Sequence, residues 1–290
     1  SGKKIRPILV LYGGWKDGEG ASDELIRAGA VVELIHLATL VHDDILDDAD
    51  MRHRMPTVAA KHGADVAVLL GDALFAHALK IAAEFPTVEV CRAVAEATRQ
   101  VCSGEIAQTF ARGEKPSKEA YYRMIDLKTA ELFAVSARLG AYLREGEAEF
   151  VAAVSDFARK LGIAYQIYDD VADFLSLQER AGKTLGTDLE TGKFTLPVLE
   201  FLELLPSSEA DKWEARLRRG EAPLETLREA MRKAGVFARV ASAFSAELTE
   251  ARALLKPYAE RTAVGPLDAL ARYVEAAMAR FVPADEVSER

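Results

Sequence analysis

Two five-residue patterns constrain this chain more than any other feature: Asp43-Asp44-Ile45-Leu46-Asp47 and Asp169-Asp170-Val171-Ala172-Asp173. Each reads D-D-x-x-D, and each interrupts a strongly apolar helical stretch, 34–42 upstream of the first and 161–168 upstream of the second. Like charges four residues apart repel on a helix, and carboxylates beside a buried face are costly to desolvate. One such pattern reads equally well as a solvated acidic face. Two, each set in apolar sequence, point to bound cations, and hard divalent ions with oxygen ligands, Mg²⁺ above all, fit best. Asp43 and Asp47 share a helix face, with Asp44 about 100° around, and Asp169, Asp170 and Asp173 repeat that geometry. Two such faces across a bundle form an acidic cavity that Mg²⁺ converts into a diphosphate site.

The rest of the chain supports a helical frame. Of 290 residues, 50% are hydrophobic and 29% charged, and alanine recurs in long blocks, which favours helices. The periodicity predicts one all-α domain of about ten helices over residues 1–290, with no convincing strand and no repeat. Asp23 is a candidate cap for a helix to about Asp48. Others are expected over 57–84, Cys91–Phe110, Ser117–Leu143, Ala148–Leu175 and Thr195–Leu205, with three or four beyond Pro206. Ser1 to Pro7 reads as a functional loop with no capped helix before it, so the domain is expected to lack its N-terminal helix or helices. A polar, glycine-rich loop spans Gln178–Phe194. The net charge of −9 argues against a nucleic-acid binder. Cys91 and Cys102 form neither a metal-ligand spacing nor a disulfide framework, and no uncharged apolar run reaches 18 residues. A soluble cytoplasmic protein is the expectation.

Cations flank both acidic helices: Lys3 and Arg6 near the start, Arg52 after the first pattern, Lys128 with Thr129, and Lys183 and Lys193 in the glycine-rich loop. Each alone reads as a surface charge; together they suit phosphate oxygens.

With these residues in place the chain resembles a trans-isoprenyl diphosphate synthase, or polyprenyl synthetase. G-K-x-x-R-P, H-D-D-x-x-D, R-x-x-P-T, Gly71-Asp72, K-T-A, Y-Q-I-x-D-D-x-x-D, G-K-T-x-G-x-D-L and G-K-x-T-L-P follow the family's order across residues 2–197. The resemblance implies the isoprenoid synthase fold, a helical bundle around a central cavity, usually homodimeric. It implies that Asp43, Asp44, Asp47, Asp169, Asp170 and Asp173 hold Mg²⁺, three ions with substrate bound. Arg52, Lys128, Thr129, Gln166, Lys183 and Lys193 would then bind the allylic headgroup, with Lys128 and Lys183 stabilising departing pyrophosphate. Lys3, Arg6 and His36 would bind isopentenyl diphosphate. The family usually has Arg-Arg-Gly after the first motif; here Arg52-His53-Arg54 puts a weaker, pH-dependent cation at the second position, with Arg54 a candidate substitute. His36 and His42 are poor Mg²⁺ ligands.

Product length should follow the tunnel below Asp43, towards Ile35, Ala38 and Thr39. Short-chain members tend to place Phe or Tyr where Ala38 and Thr39 stand, and the first motif lacks the two-residue insertion common in bacterial farnesyl enzymes. A product of C25 or above is expected, with Phe75 and Phe110 as possible obstructions. A short-chain farnesyl or geranylgeranyl synthase, a terpene cyclase and a subunit of a heteromeric synthase are the alternatives.

Overall fold

The computed structural model describes residues 3–52, 55–144, 146–175 and 193–282. Within them the chain is a helical bundle with two cores. Helix α1 (Ile5–Gly13) precedes α2 (Asp23–Leu46). Ser22, one residue before the expected cap, accepts a hydrogen bond from the Leu25 N–H at 3.3 Å and so satisfies a free donor of the first turn of α2. After α2 comes a ladder that the periodicity did not predict: Met51–Arg52 pairs antiparallel with Met55–Pro56. Two residues per strand carry no legible alternation.

The helix expected over 57–84 is broken. Gly63, with φ of 92°, separates α3 (Val58–His62) from α4 (Ala64–Ala83). Helix α5 (Val88–Phe110) follows. The helix expected from Ser117 is divided as well. Ser117 caps α6 (Lys118–Ile125), a π-helical turn covers Asp126–Ala130, and α7 (Glu131–Arg144) continues. Helix α8 (Ala148–Leu175) has the expected bounds. Beyond Lys193 lie α9 (Leu196–Leu204), α10 (Ser207–Arg218), α11 (Leu224–Lys233), α12 (Val236–Leu255) and α13 (Val264–Met278).

Helix α7 joins the two cores, because it is apolar on more than one face. Leu132, Val135 and Leu139 enter the core shared by α2 and α5, with Val31, Val32, Ile35 and Val94. Phe133, Ala137 and Ala141 enter the larger core around α8 and α12, with Phe157, Leu161, Phe174 and Phe244. Each fully buried aromatic or aliphatic side chain there contributes about 1.5–3 kcal/mol. The outcome fixes the site: α2 and α8, the two Asp-bearing helices, lie on opposite sides of α7.

By length and mean apolarity α2 and α4 each suffice to cross a membrane. Each carries charge, Arg27 and Glu33 on α2 and Asp72 and Lys80 on α4. Helix α2 is packed into the bundle, whereas α4 packs one side on α2 and leaves Val66, Val68, Leu69, Leu70 and Leu79 exposed.

Candidate active site

Two separate bridges join the acidic patterns. The first is the π-turn between α6 and α7. Lys128 Nζ lies 3.6 Å from Asp43 Oδ2, while next to it Thr129 donates to Gln166 Oε1 at 2.8 Å and Gln166 donates to Asp170 Oδ1 at 2.9 Å. The second is the start of α9. Lys193 donates to Asp47 Oδ2 at 2.9 Å, and the Leu196 N–H points at Asp170 Oδ2 at 3.5 Å. The C-terminal ends of α2 and α8 are therefore linked through the same two segments.

Each aspartate of the first pattern is matched with a cation. Asp43 meets Lys128; buried Asp44 accepts from Arg52 Nε at 2.7 Å; Asp47 accepts from Arg112 at 2.5 Å as well as from Lys193. In the second pattern Asp170 is buried and also accepts from the Tyr121 hydroxyl at 2.6 Å, Asp173 is buried, and Asp169 is half-exposed. Among the described residues no three His, Cys, Asp or Glu side chains converge as a ready-made metal cluster. The donor set still suits a hard divalent ion, being all oxygen. Its charge balance points the same way. Burial pushes Asp43 up to about 6, helped by Glu105 and Asp47 and opposed by Lys128 and Arg52. Positive charge brought to Asp43 is therefore favoured, and the aspartates of the two patterns are the residues that could hold a divalent ion.

Three polar residues of this site escaped the sequence reading. Glu105 forms a close ion pair with Lys128, and Gln108 Oε1 accepts from Lys128 at 2.7 Å. Arg112 also donates to the Leu46 carbonyl at 2.7 Å, tying the end of α5 to the end of α2. The signal was the spacing of Glu105 and Gln108, which puts them on one stripe of α5, with Arg112 in the turn just after it. Between the opposing carboxylates, Lys128 has its pKa raised: burial would lower it, but Asp43 and Glu105 outweigh burial.

Beside this centre, the N-terminal cations converge on aromatic rings. Lys3 Nζ sits 4.7 Å from the centre of the Tyr168 ring and 5.3 Å from that of Tyr165, and the Arg6 guanidinium lies 5.0 Å from the centre of Phe133. Such contacts stabilise a cation without neutralising it. Arg6 is on α1, not in the loop expected there, and its Nε is a buried donor with no hydrogen-bond partner. Burial lowers Arg6 to about 10, so it stays charged at neutral pH. His36 lies near Arg6, Arg52 and Lys4; burial and these charges push it down to about 2. His36 is therefore a neutral hydrogen-bonding group in this cationic corner.

Of the expected tunnel residues, Ile35 and Ala38 are fully buried in α2 and Thr39 is half-buried, its hydroxyl on the His36 carbonyl at 2.8 Å. Half-buried Phe75 leans on the ring of His42, with centroids 5.8 Å apart. Phe110 is 85% exposed and blocks no interior space of this chain. His42 is occupied at 3.3 Å from the Val68 carbonyl and 3.5 Å from Asp72. His53, Arg54 and Lys183 lie outside the described residues.

Comparison with known proteins identifies the family and the fold. The model of the polyprenyl synthetase family matches residues 1–234. Geranylgeranyl diphosphate synthase of Methanosarcina mazei is 35% identical over 235 residues, covering 79% of this chain and 72% of that one. Heptaprenyl diphosphate synthase component 2 of Geobacillus stearothermophilus is 39% identical over 200 residues, covering 68% of this chain and 62% of that one, so the match spans less than two thirds of that relative. A polyprenyl synthase from Caulobacter crescentus, solved with calcium and isoprenyl diphosphate, superposes with a TM-score of 0.89 at 29% identity, covering 97% of this chain and 86% of the other. The relatives are named as prenyl diphosphate synthases, which are transferases, and the solved neighbour shares the all-helical bundle. This chain belongs to the polyprenyl synthetase family.

Proposed function

We propose that this chain is a Mg²⁺-dependent prenyltransferase that joins isopentenyl diphosphate head-to-tail to an allylic diphosphate, giving an all-trans polyprenyl diphosphate of C25 or above. The observation that carries this reading is the double bridge between the patterns, through Lys128–Thr129–Gln166 and through Lys193–Leu196. When bound to the aspartates, Mg²⁺ supplies positive charge against the diphosphate oxygens.

In the proposed reaction Lys128, Lys193 and Arg52 hold the allylic headgroup and stabilise pyrophosphate as the allylic C–O bond breaks and the electron pair leaves with it. Lys3 and Arg6 hold the second diphosphate, for which the unpartnered Arg6 Nε is a ready donor. The isopentenyl double bond attacks C1 of the allylic cation and forms the new C–C bond. The proton lost from the adjacent carbon passes to pyrophosphate and restores a double bond. Apolar walls exclude the water that would quench the cation.

The small side chains at Ala38 and Thr39, with Phe110 facing outwards, support a long product. Incubating the purified chain with farnesyl and isopentenyl diphosphates, followed by chromatography of the products, tests this. Species of C25 or longer are expected, whereas a product ending at C15 or C20 contradicts the tunnel argument. Turnover without isopentenyl diphosphate would instead indicate a cyclase.

The exposed apolar side of α4, extended by Ile106 and Phe110 of α5, fits a homodimer contact. Light scattering should give twice the chain's mass, and Leu69→Asp should reduce it to one. A relative named as a component of a heptaprenyl synthase raises a second reading, that this face meets a different subunit. Activity of the chain alone supports the homodimer; activity only after a second polypeptide is added supports the heteromer.

A further inference from the structure

The π-turn that presents Lys128 and Thr129 is held from outside the cavity by a residue with no place in the mechanism above. Arg159 of α8 donates through Nη1 to Asp126 Oδ1 at 2.7 Å and through Nη2 to Glu131 Oε2 at 2.5 Å. Asp126 begins the π-turn and Glu131 is the first residue after it. In a regular α-helix two residues five apart point about 140° away from each other. In a turn closed by i to i+5 hydrogen bonds they come back to the same side of the helix. The planar fork of one guanidinium therefore spans both carboxylates in the π form and not in the α form.

Packing agrees with this. The π-turn is pressed between two helices at glycines: a Cβ on Gly104 of α5 would stand 2.8 Å from the Lys128 nitrogen, and one on Gly162 of α8 would stand 2.7 Å from Ala130 Cα. Were the turn to relax to α geometry, residues on its two sides would rotate relative to each other. Lys128 would leave Asp43 and Gln108, and Thr129 would leave Gln166.

We propose that Arg159 is a positioning residue for the diphosphate site: by bridging Asp126 and Glu131 it selects the π-turn that aims Lys128 and Thr129 into the cavity. The proposal rests on the reading of Lys128 as a ligand of the allylic headgroup. It adds a group on the far side of the helix that touches no substrate and acts only through that turn.

The test is a double-mutant cycle on the full chain. It reads affinity for inorganic pyrophosphate in the presence of Mg²⁺ by calorimetry, alongside kcat and KM for the allylic diphosphate. Arg159→Gln should weaken pyrophosphate binding by about tenfold, and Arg159→Lys, which reaches one carboxylate at a time, by less. In a Lys128→Ala background, Arg159→Gln should add less than about a further twofold loss, because the residue it positions is already gone. The KM for isopentenyl diphosphate, bound from α1, should not move. Parental affinity in Arg159→Gln, or losses that multiply fully with Lys128→Ala, overturns the proposal and leaves the proposed reaction standing. Parental affinity in Lys128→Ala contradicts the headgroup reading and takes the proposal with it. Should Arg159→Gln not fold, Asp126→Asn and Glu131→Gln each cut one arm of the fork and enter the same cycle.

Discussion

His36 shows how much a single side chain owes to its neighbours. An isolated imidazole gains its proton near pH 6.5, but burial together with Arg6, Arg52 and Lys4 holds His36 down to about 2 in the folded chain. The unfolded chain therefore binds a proton below pH 6.5 that the folded chain refuses. The associated stability is complete above pH 6.5 and is lost as pH falls, at up to about 1.4 kcal/mol per unit. His36→Gln keeps a neutral hydrogen-bonding group and removes the titration. Between pH 7.5 and 5 the parent should lose about 1–2 kcal/mol more than His36→Gln, read from paired melting curves. Equal losses would show that His36 titrates normally. The aspartates and Lys128 stood out in the sequence because charge in an apolar stretch is conspicuous, whereas Gln166 was named only through the family resemblance. Glu105, Gln108 and Arg112 did not stand out, because polar residues at helical spacing usually face solvent. The neutrality of His36 was beyond reach, since it depends on charges from α1 and from the strand after α2.

Among the elements, α8 was legible from end to end because 28 residues of unbroken periodicity leave little choice. The π-turn was not: the run reads as α-helix, and the turn is packed against α5 and α8, more than twenty residues away on either side. The start of α1 was read as a loop, yet the helix begins at Ile5, and Pro7 is tolerated in its first turn, where the missing N–H has no partner to lose. Helix α1 then crosses α7 at two glycines. A Cβ on Gly140 would stand 2.0 Å from the Val10 carbonyl oxygen, and one on Gly13 would stand 2.5 Å from that of Ala137. Gly140→Ala must push α1 away, and α1 carries Arg6. A stability loss of about 1–3 kcal/mol is expected, with a raised KM for isopentenyl diphosphate and little change in the KM for the allylic substrate. A variant as stable and active as the parent would mean that this close crossing is not required.

At the scale of the whole molecule, the fold brings two distant stretches of chain to one cavity. Asp43 and Asp169 are separated by more than a hundred residues, and α7, buried between two cores, sets the distance between the helices that carry them. The all-helical class was readable from periodicity alone. The pairing of the two acidic patterns across one cavity was an expectation of the sequence; the contacts that bridge them, through Lys128 and Lys193, were not legible there. Calorimetric titration of inorganic pyrophosphate with Mg²⁺ into the parent, Asp43→Asn, Asp169→Asn and the double variant tests this most directly. If one ion-bound diphosphate needs both patterns, each single variant loses more than about tenfold in affinity, the double variant falls little further, and the parent binds weakly once Mg²⁺ is chelated. Parental affinity in either single variant, or pyrophosphate binding indifferent to Mg²⁺, would contradict the account.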